Sequence, residues 1–299
     1  MGLFILLAGS FATLSASATT LAPRIFVDDL GRQITLANTP TRIVSLAPSI
    51  TETLFAIGLG ERVVGVTQFC DYPAEALAKP KVGYTHPSLE AIVALQPDLV
   101  LAPREFLRAD IQSKLEQLKI PTYILNATTV DGILARIQEL GRLLDASPAA
   151  DDLAGKMQRR IQEIKSRTSR LPRPRVLYVL NSEPLITVGP GSFIHEAIEM
   201  AGGSNIAARA RVAYPRLSME AVLKEDPELI LFPTGNAEGI AAGEEERWQR
   251  WSTVSAIKLG RLHRVPSDLL NRPGPRIVEG LEMLARTIHP EAFSGRGAP

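Results

Sequence analysis

From Arg42 onward, short apolar runs alternate with segments whose apolar residues recur at helical spacing. Arg42 to Leu46 (R-I-V-S-L) is β-branched and bounded by Pro40 and Pro48, which predicts a strand. Ser49-Ile50-Thr51-Glu52 fits a capping box opening a helix that ends near Gly58 and Gly60. Val63 to Val66 predicts the next strand, and Leu89 to Leu95 a helix stopped by Pro97. Leu99 to Leu101 reads as a buried strand, Thr122 to Leu125 as another, and about Val130 to Leu144 as a helix. Strands and helices alternating in this way imply an α/β fold with parallel sheets covered on both faces.

The stretch from Ala149 to Arg170 breaks the rhythm. It has no Pro and no Gly after Gly155, and Leu153, Met157, Ile161 and Ile164 form one apolar stripe among charged residues. A single helix of that length spans about 33 Å at 1.5 Å per residue, roughly the width of a domain. Its place midway along the chain predicts a rod between two lobes. The expected layout is an N-terminal lobe over 24–147, a connecting helix over 148–171 and a C-terminal lobe over 172–299.

After the rod the pattern restarts. Pro174 to Leu180 reads as a strand, and Ser192 to Met200 as a helix closed by Gly202-Gly203. Ser88 to Pro103 (SLEAIVALQPDLVLAP) and Ser218 to Pro233 (SMEAVLKEDPELILFP) share seven identical positions at an offset of 130 residues, which implies an internal duplication. In each copy a Ser caps a short helix, a Glu sits in its first turn, Pro ends it, and a buried strand follows. Glu90 and Glu220 are thus matched acidic residues. Their position serves the helix dipole, and it also suits two basic sites on a symmetric partner.

The first twenty residues differ from the rest. Leu3 to Leu7 is apolar, no charge occurs before Arg24, and Ala16-Ser17-Ala18 is an A-x-A pattern. This reads as a signal peptide over 1–18, without the usual basic start, and predicts an exported, periplasmic protein. Ser10 follows Leu7-Ala8-Gly9 where a lipid anchor needs Cys. No stretch is long enough to span a membrane. A net charge of +1 gives no sign of a nucleic-acid partner.

Catalytic chemistry is not legible. His86, His195, His263 and His289 are scattered, with no metal-binding spacing, no G-x-S-x-G and no P-loop. Gly189-Pro190-Gly191 precedes a helix and reads as a tight turn or an anion site. Cys70, the single cysteine, reads as a packed thiol. Aromatics are few, yet Phe69, Tyr72, Tyr84 and Tyr214 fall in loops after strands or before the duplicated helices, where open α/β sheets bind ligands.

RIVSLAPSITETLFAIGLGERVVGVTQFCDYP, SLEAIVALQPDLVLA, YPRLSMEAVL and DLLNRPGPRIVEGLEMLA resemble the helical-backbone class of periplasmic binding proteins. These serve ABC importers of cobalamin, iron-siderophores and haem, and the likeness is greatest to the cobalamin binders. The resemblance implies two Rossmann-like lobes with parallel sheets joined by one long α-helix, small closure on binding, and a transported ligand in place of any cofactor. It implies that Glu90 and Glu220 meet arginines of a permease dimer. It places ligand contacts at Phe69, Tyr84 and Tyr214, an apolar contact at Ile186, and polar contacts to corrin amides at Asp268 and Arg272. Asp268 and Arg272, four apart, could instead pair with each other.

Three departures bear on the ligand. Tyr84 and Tyr214 stand where tryptophans are expected, and Ala201 and Ala285 where a disulfide pair would sit. Val82-Gly83-Tyr84 resembles the haem binders, in which such a Tyr ligates iron, but no basic residue follows it. Arg104, Arg211, Arg216 and Arg272 are available to an anionic siderophore. Cobalamin or a related corrinoid is the leading expectation, haem or a ferric siderophore the second, and an exported enzyme on the same scaffold the third.

Overall fold

An antiparallel hairpin, β1 (Arg24–Val27) and β2 (Gln33–Leu36), precedes the first lobe. The computed structural model describes residues 23–84, 86–104, 109–235 and 239–294; the expected signal peptide lies outside them. The hairpin is closed by Asp28, whose carboxylate accepts the Leu30 and Arg32 backbone N–H groups at 3.0 and 2.9 Å, with Gly31 at a φ of 76°. The sequence reading passed over this hairpin, although its D-D-L-G-R turn carries the Asp and Gly such turns use.

The first lobe continues with β3 (Ile43–Ser45), α1 (Pro48–Ala56), β4 (Val63–Val66), α2 (Leu89–Ala94), β5 (Leu99–Pro103), α3 (Ala109–Gln117), β6 (Thr122–Leu125) and α4 (Val130–Leu143). Then comes α5 (Ser147–Thr168), 22 residues long. The second lobe holds β7 (Arg175–Tyr178), the small pair β8 (Asn181–Ser182) and β9 (Leu185–Ile186), α6 (Phe193–Met200), β10 (Ser204–Asn205), α7 (Met219–Glu225) and β11 (Leu229–Thr234). It ends with α8 (Glu244–Trp248), α9 (Ser255–Lys258), β12 (Leu262–Pro266), α10 (Ser267–Leu270), α11 (Ile277–Ile288) and α12 (Pro290–Phe293).

Each lobe is built on a four-stranded parallel sheet. The strand orders are β4-β3-β5-β6 and β10-β7-β11-β12. Numbered within its lobe, each order is 2-1-3-4, so the duplication extends to topology. It also extends to detail. The short helix in each copy ends on a left-handed residue before proline, Gln96 at a φ of 47° and Asp226 at 45°. In each copy an arginine at the start of the lobe's first central strand clasps that end. Arg42 donates to the Leu95 and Gln96 carbonyls at 2.6 and 3.1 Å, and Arg175 to the Asp226 carbonyl at 2.8 Å. An acidic side chain two residues beyond each left-handed residue accepts that arginine's backbone N–H: Asp98 for Arg42, Glu228 for Arg175, both at 2.9 Å.

Alternation along the strands sorts the core. Ile43, Leu99, Leu101, Tyr123, Val176, Tyr178, Leu229 and Leu231 all point into one continuous apolar core. Val44, Val100 and Ile124 turn to a separate cluster outside the first sheet, and Leu177, Ile230 and Phe232 to another outside the second. The shared core is filled by α4, α5, α6 and α11. The buried stripe of α5 is Ala150, Ala154, Met157, Ile161, Ile164 and Thr168; Leu153 is only half-buried. Gly141 of α4 permits the close crossing, because a Cβ there would lie 2.4 Å from the Ala150 Cβ. Ala201 and Ala285 are fully buried in this core. A further link joins the lobes where Glu196 of α6 accepts the Val130 N–H at the start of α4, at 2.8 Å.

The expected capping box at Ser49 does not form. Pro48, with its missing N–H, takes the first turn of α1, Ala47 is the N-cap without a side-chain bond, and Ser49 lies inside the helix. Glu52 is thereby released for another role.

Candidate ligand-binding site

Loops at the carboxyl ends of the parallel strands face each other across a cleft of about 820 Å³. From the first lobe come Ala47, Pro48 and Ser49 after β3, Pro103 and Arg104 after β5, and Leu125 to Thr128 at β6. From the second come Leu180 and Asn181 after β7, Gly191, Phe193 and Ile194 at α6, and Asn271 to Pro273 after α10. Tyr84 and Tyr214 also line the cavity, one from each lobe. The strand order reverses between β3 and β5 and between β7 and β11, which is where an open α/β sheet opens its crevice.

A buried charge cluster joins the lobes beside the cleft. Arg272 donates to Glu52 Oε1 at 3.0 Å, Asp71 Oδ1 at 2.7 Å and the Phe69 carbonyl at 3.3 Å. Arg276 donates from Nε and Nη2 to the two Glu52 oxygens, both at 2.8 Å, and from Nη1 to Asp268 Oδ2 at 2.8 Å. Its guanidinium lies 4.2 Å over the Tyr72 ring. Burial alone would lower the pKa of Arg272, but hydrogen bonds and charge from Asp71 and Glu52 outweigh it and raise it. Burial alone would raise that of Asp71, but Arg272 outweighs it and holds the carboxyl below the usual range. The loop after Arg272 is tight against α1, since a Cβ on Gly274 would lie 3.2 Å from the Ser49 backbone.

The match to the model of the periplasmic binding protein family covers residues 43–269. The chain belongs to that family. An uncharacterized ABC transporter substrate-binding lipoprotein of Bacillus subtilis is 31% identical, covering 90% of this chain and 87% of that one. The structure of the periplasmic vitamin B12-binding protein of Vibrio cholerae matches with a TM-score of 0.74 at 30% identity, covering 86% of this chain and 99% of that one. The periplasmic haem-binding protein of Roseiflexus sp. RS-1, in apo form, matches with a TM-score of 0.75 at 26% identity, covering 84% and 98%. The two α/β lobes are therefore those of a periplasmic binding protein.

Within this periplasmic binding protein, the residues singled out from sequence fall into three groups. Tyr84, Tyr214 and Arg272 line the cleft. Phe69 and Ile186 are half-buried and are not on the lining. The Phe69 ring meets Tyr84 edge-on at 4.6 Å, and Ile186 bridges to Arg216 on a strand edge. Asp268 is not on the lining; it pairs with Arg276, eight residues on, and not with Arg272. Arg104 lines the cavity, whereas Arg211 and Arg216 do not.

Glu90 and Glu220 lie away from the cleft, both exposed. Ser88 and Ser218 cap their helices by accepting the Ala91 and Ala221 N–H groups at 3.1 and 3.2 Å. The Glu90 carboxyl is held below the usual range by its own backbone N–H and by the Ser88 hydroxyl. Cys70 is buried between the Thr51 and Thr67 hydroxyls at 3.2 and 3.1 Å. Gly189-Pro190-Gly191 is a turn whose successor, Ser192, caps α6 by accepting the Ile194 N–H at 3.2 Å. Among the described residues, no three His, Cys, Asp or Glu side chains gather to hold a metal ion, and no helix is long and apolar enough to cross a membrane.

The sequence reading missed Glu52, Asp71, Asn126, Asn181 and Asn271. The asparagines carried a signal, since Asn126 and Asn271 lie just past β6 and α10, and Asn181 opens β8 soon after β7. Asn271 is fixed by the Tyr178 hydroxyl, which donates to its Oδ1 at 2.7 Å.

Proposed function

We propose that this protein captures cobalamin or a related corrinoid in the interlobe cleft and presents it to the permease dimer of an ABC importer. The observation that carries the reading is the make-up of the cleft. Two tyrosines, Tyr84 and Tyr214, line it from opposite lobes, and three asparagine amides, Asn126, Asn181 and Asn271, are set among apolar side chains. Aromatic walls suit a broad macrocycle, and side-chain amides suit a ligand whose rim carries primary amides. The vitamin B12-binding relative supports the same ligand class.

In this reading the protein acts as an exported, soluble carrier with no catalytic step. The ligand is cargo and not a cofactor. Phe69 backs the Tyr84 wall, Arg272 sits on the lining, and Ile186 and Asp268 support the walls from behind. Glu90 and Glu220 dock on the two halves of the permease.

Haem is the second reading. It rests on Tyr84, which lines the cleft at the end of Val82-Gly83-Tyr84, and on the haem-binding relative. Titrating the purified protein with cobalamin, cobinamide, haem and a ferric siderophore separates the two. The corrinoid reading expects saturable one-to-one cobalamin binding that survives Tyr84→Phe. Haem binding with a tyrosinate charge-transfer band that vanishes in Tyr84→Phe, and no cobalamin uptake, would overturn it.

A further inference from the structure

Two guanidinium groups line the cleft, and their charges are balanced differently. Arg272 is buried and held by Glu52 and Asp71, so its charge is matched inside the protein. Arg104 is exposed, follows Pro103 at the carboxyl end of β5, and pairs with no carboxylate among the described residues. Among the described residues, no Asp or Glu lines the cavity. The described lining therefore presents one positive charge, that of Arg104, without a carboxylate partner, in a largely apolar, amide-bearing surface.

We infer that Arg104 recognises an anionic group of the ligand and so selects a complete corrinoid, with its phosphodiester, over one that lacks it. This rests on the corrinoid reading above. A guanidinium is planar, permanently charged and able to donate two parallel hydrogen bonds to a phosphate. Apart from Arg272, whose charge is matched by Glu52 and Asp71, the other polar side chains of the described lining are amides and hydroxyls, which accept and donate but do not discriminate by charge. A cationic corrinoid without the phosphodiester gains nothing from Arg104 and meets its charge unshielded.

The test compares cobalamin with cobinamide, which ends at aminopropanol and has no phosphodiester, on the wild type, Arg104→Gln and Arg104→Lys. The wild type should prefer cobalamin. Arg104→Gln should reduce that preference by about tenfold to a hundredfold, the scale of a hydrogen bond to a charged group. Arg104→Lys should keep most of it, and added salt should weaken cobalamin binding to the wild type more than to Arg104→Gln. Equal losses for both ligands in Arg104→Gln, or no loss, overturn the inference while leaving the corrinoid reading standing. If the wild type binds haem and neither corrinoid, the corrinoid reading falls, and Arg104 is judged on the haem propionates instead. A tenfold loss of haem affinity in Arg104→Gln then sustains anion recognition, and unchanged affinity overturns it.

Discussion

Glu52 and Arg272 are 220 positions apart in the chain, and their side chains meet at 3.0 Å across the two lobes. The Glu52 side chain is 2% exposed and Arg272 7%. Glu52 also takes both bonds offered by Nε and Nη2 of Arg276, so one carboxylate holds two guanidiniums. Without Glu52, Arg272 keeps Asp71 and Arg276 keeps Asp268, so the loss is that of buried hydrogen bonds to charged groups, about 1.5–3 kcal/mol, and not that of a wholly unpaired buried charge. Glu52→Ala should lower the free energy of unfolding on that scale, measured by urea denaturation. A loss under about 1 kcal/mol, the value of an exposed pair, would mean that the cluster does not hold the lobes.

Asp71 gives that cluster a pH dependence. Its carboxyl is held below the usual range in the folded state, so its stabilising contribution is fully present above the unfolded value of about 3.9. That contribution disappears as the pH falls through the lower, folded value. Wild type and Asp71→Asn should therefore differ in melting temperature at pH 6 and converge towards pH 2. A gap that stays constant across this range would assign the effect of Asp71 to packing.

Tyr214 is 51% exposed and lines the cleft, so the fold gains little from it. Tyr214→Ala should weaken ligand binding by about 1–3 kcal/mol, read by calorimetry, with an unfolding midpoint close to wild type. Unchanged affinity would return this side chain to the role of a loop residue.

Glu90 and Glu220 are exposed, occupy matched places on the two lobes and do not line the cleft. Replacing both with Ala should leave ligand affinity in solution as it was and cost stability only through the helix dipole, about 0.3–1 kcal/mol per site. Transport and stimulation of the permease's ATPase should fall sharply, since two charge-assisted contacts go together. Normal transport by the double variant would leave the glutamates as helix-start residues only.

The duplicated segment is legible in the sequence because its signals are local: a Ser cap, an acidic first turn, a Pro stop and a buried strand within sixteen residues. The rod is legible for the same reason. The role of Glu52 is not, because a pairing with Arg272 and Arg276 has no period and no fixed spacing to read. The Ser49-Ile50-Thr51-Glu52 pattern even suggests a competing local use, and only Pro48 hints that the helix has already begun. The alternative pairing of Asp268 with Arg272 fails for a related cause: four residues is helical spacing, but α10 ends at Leu270, and the chain then turns so that Asp268 meets Arg276 instead. The arginines that clasp Gln96 and Asp226 lie outside the segment whose repetition can be seen by eye.

The apolar side chains on the inner faces of both sheets meet through the stripe of α5 in one interior. Neither half of the polypeptide therefore encloses its own. Cut near residue 146 and expressed apart, the N-terminal piece would expose the face that α5 covers and the C-terminal piece the side of α5 that packs on it, so each would be expected to aggregate alone and recover a native fold only when mixed. For the same reason the whole molecule should melt in one cooperative transition despite its two-lobed outline. Evolution that doubled an ancestral unit would thus have left a protein whose parts can no longer be separated.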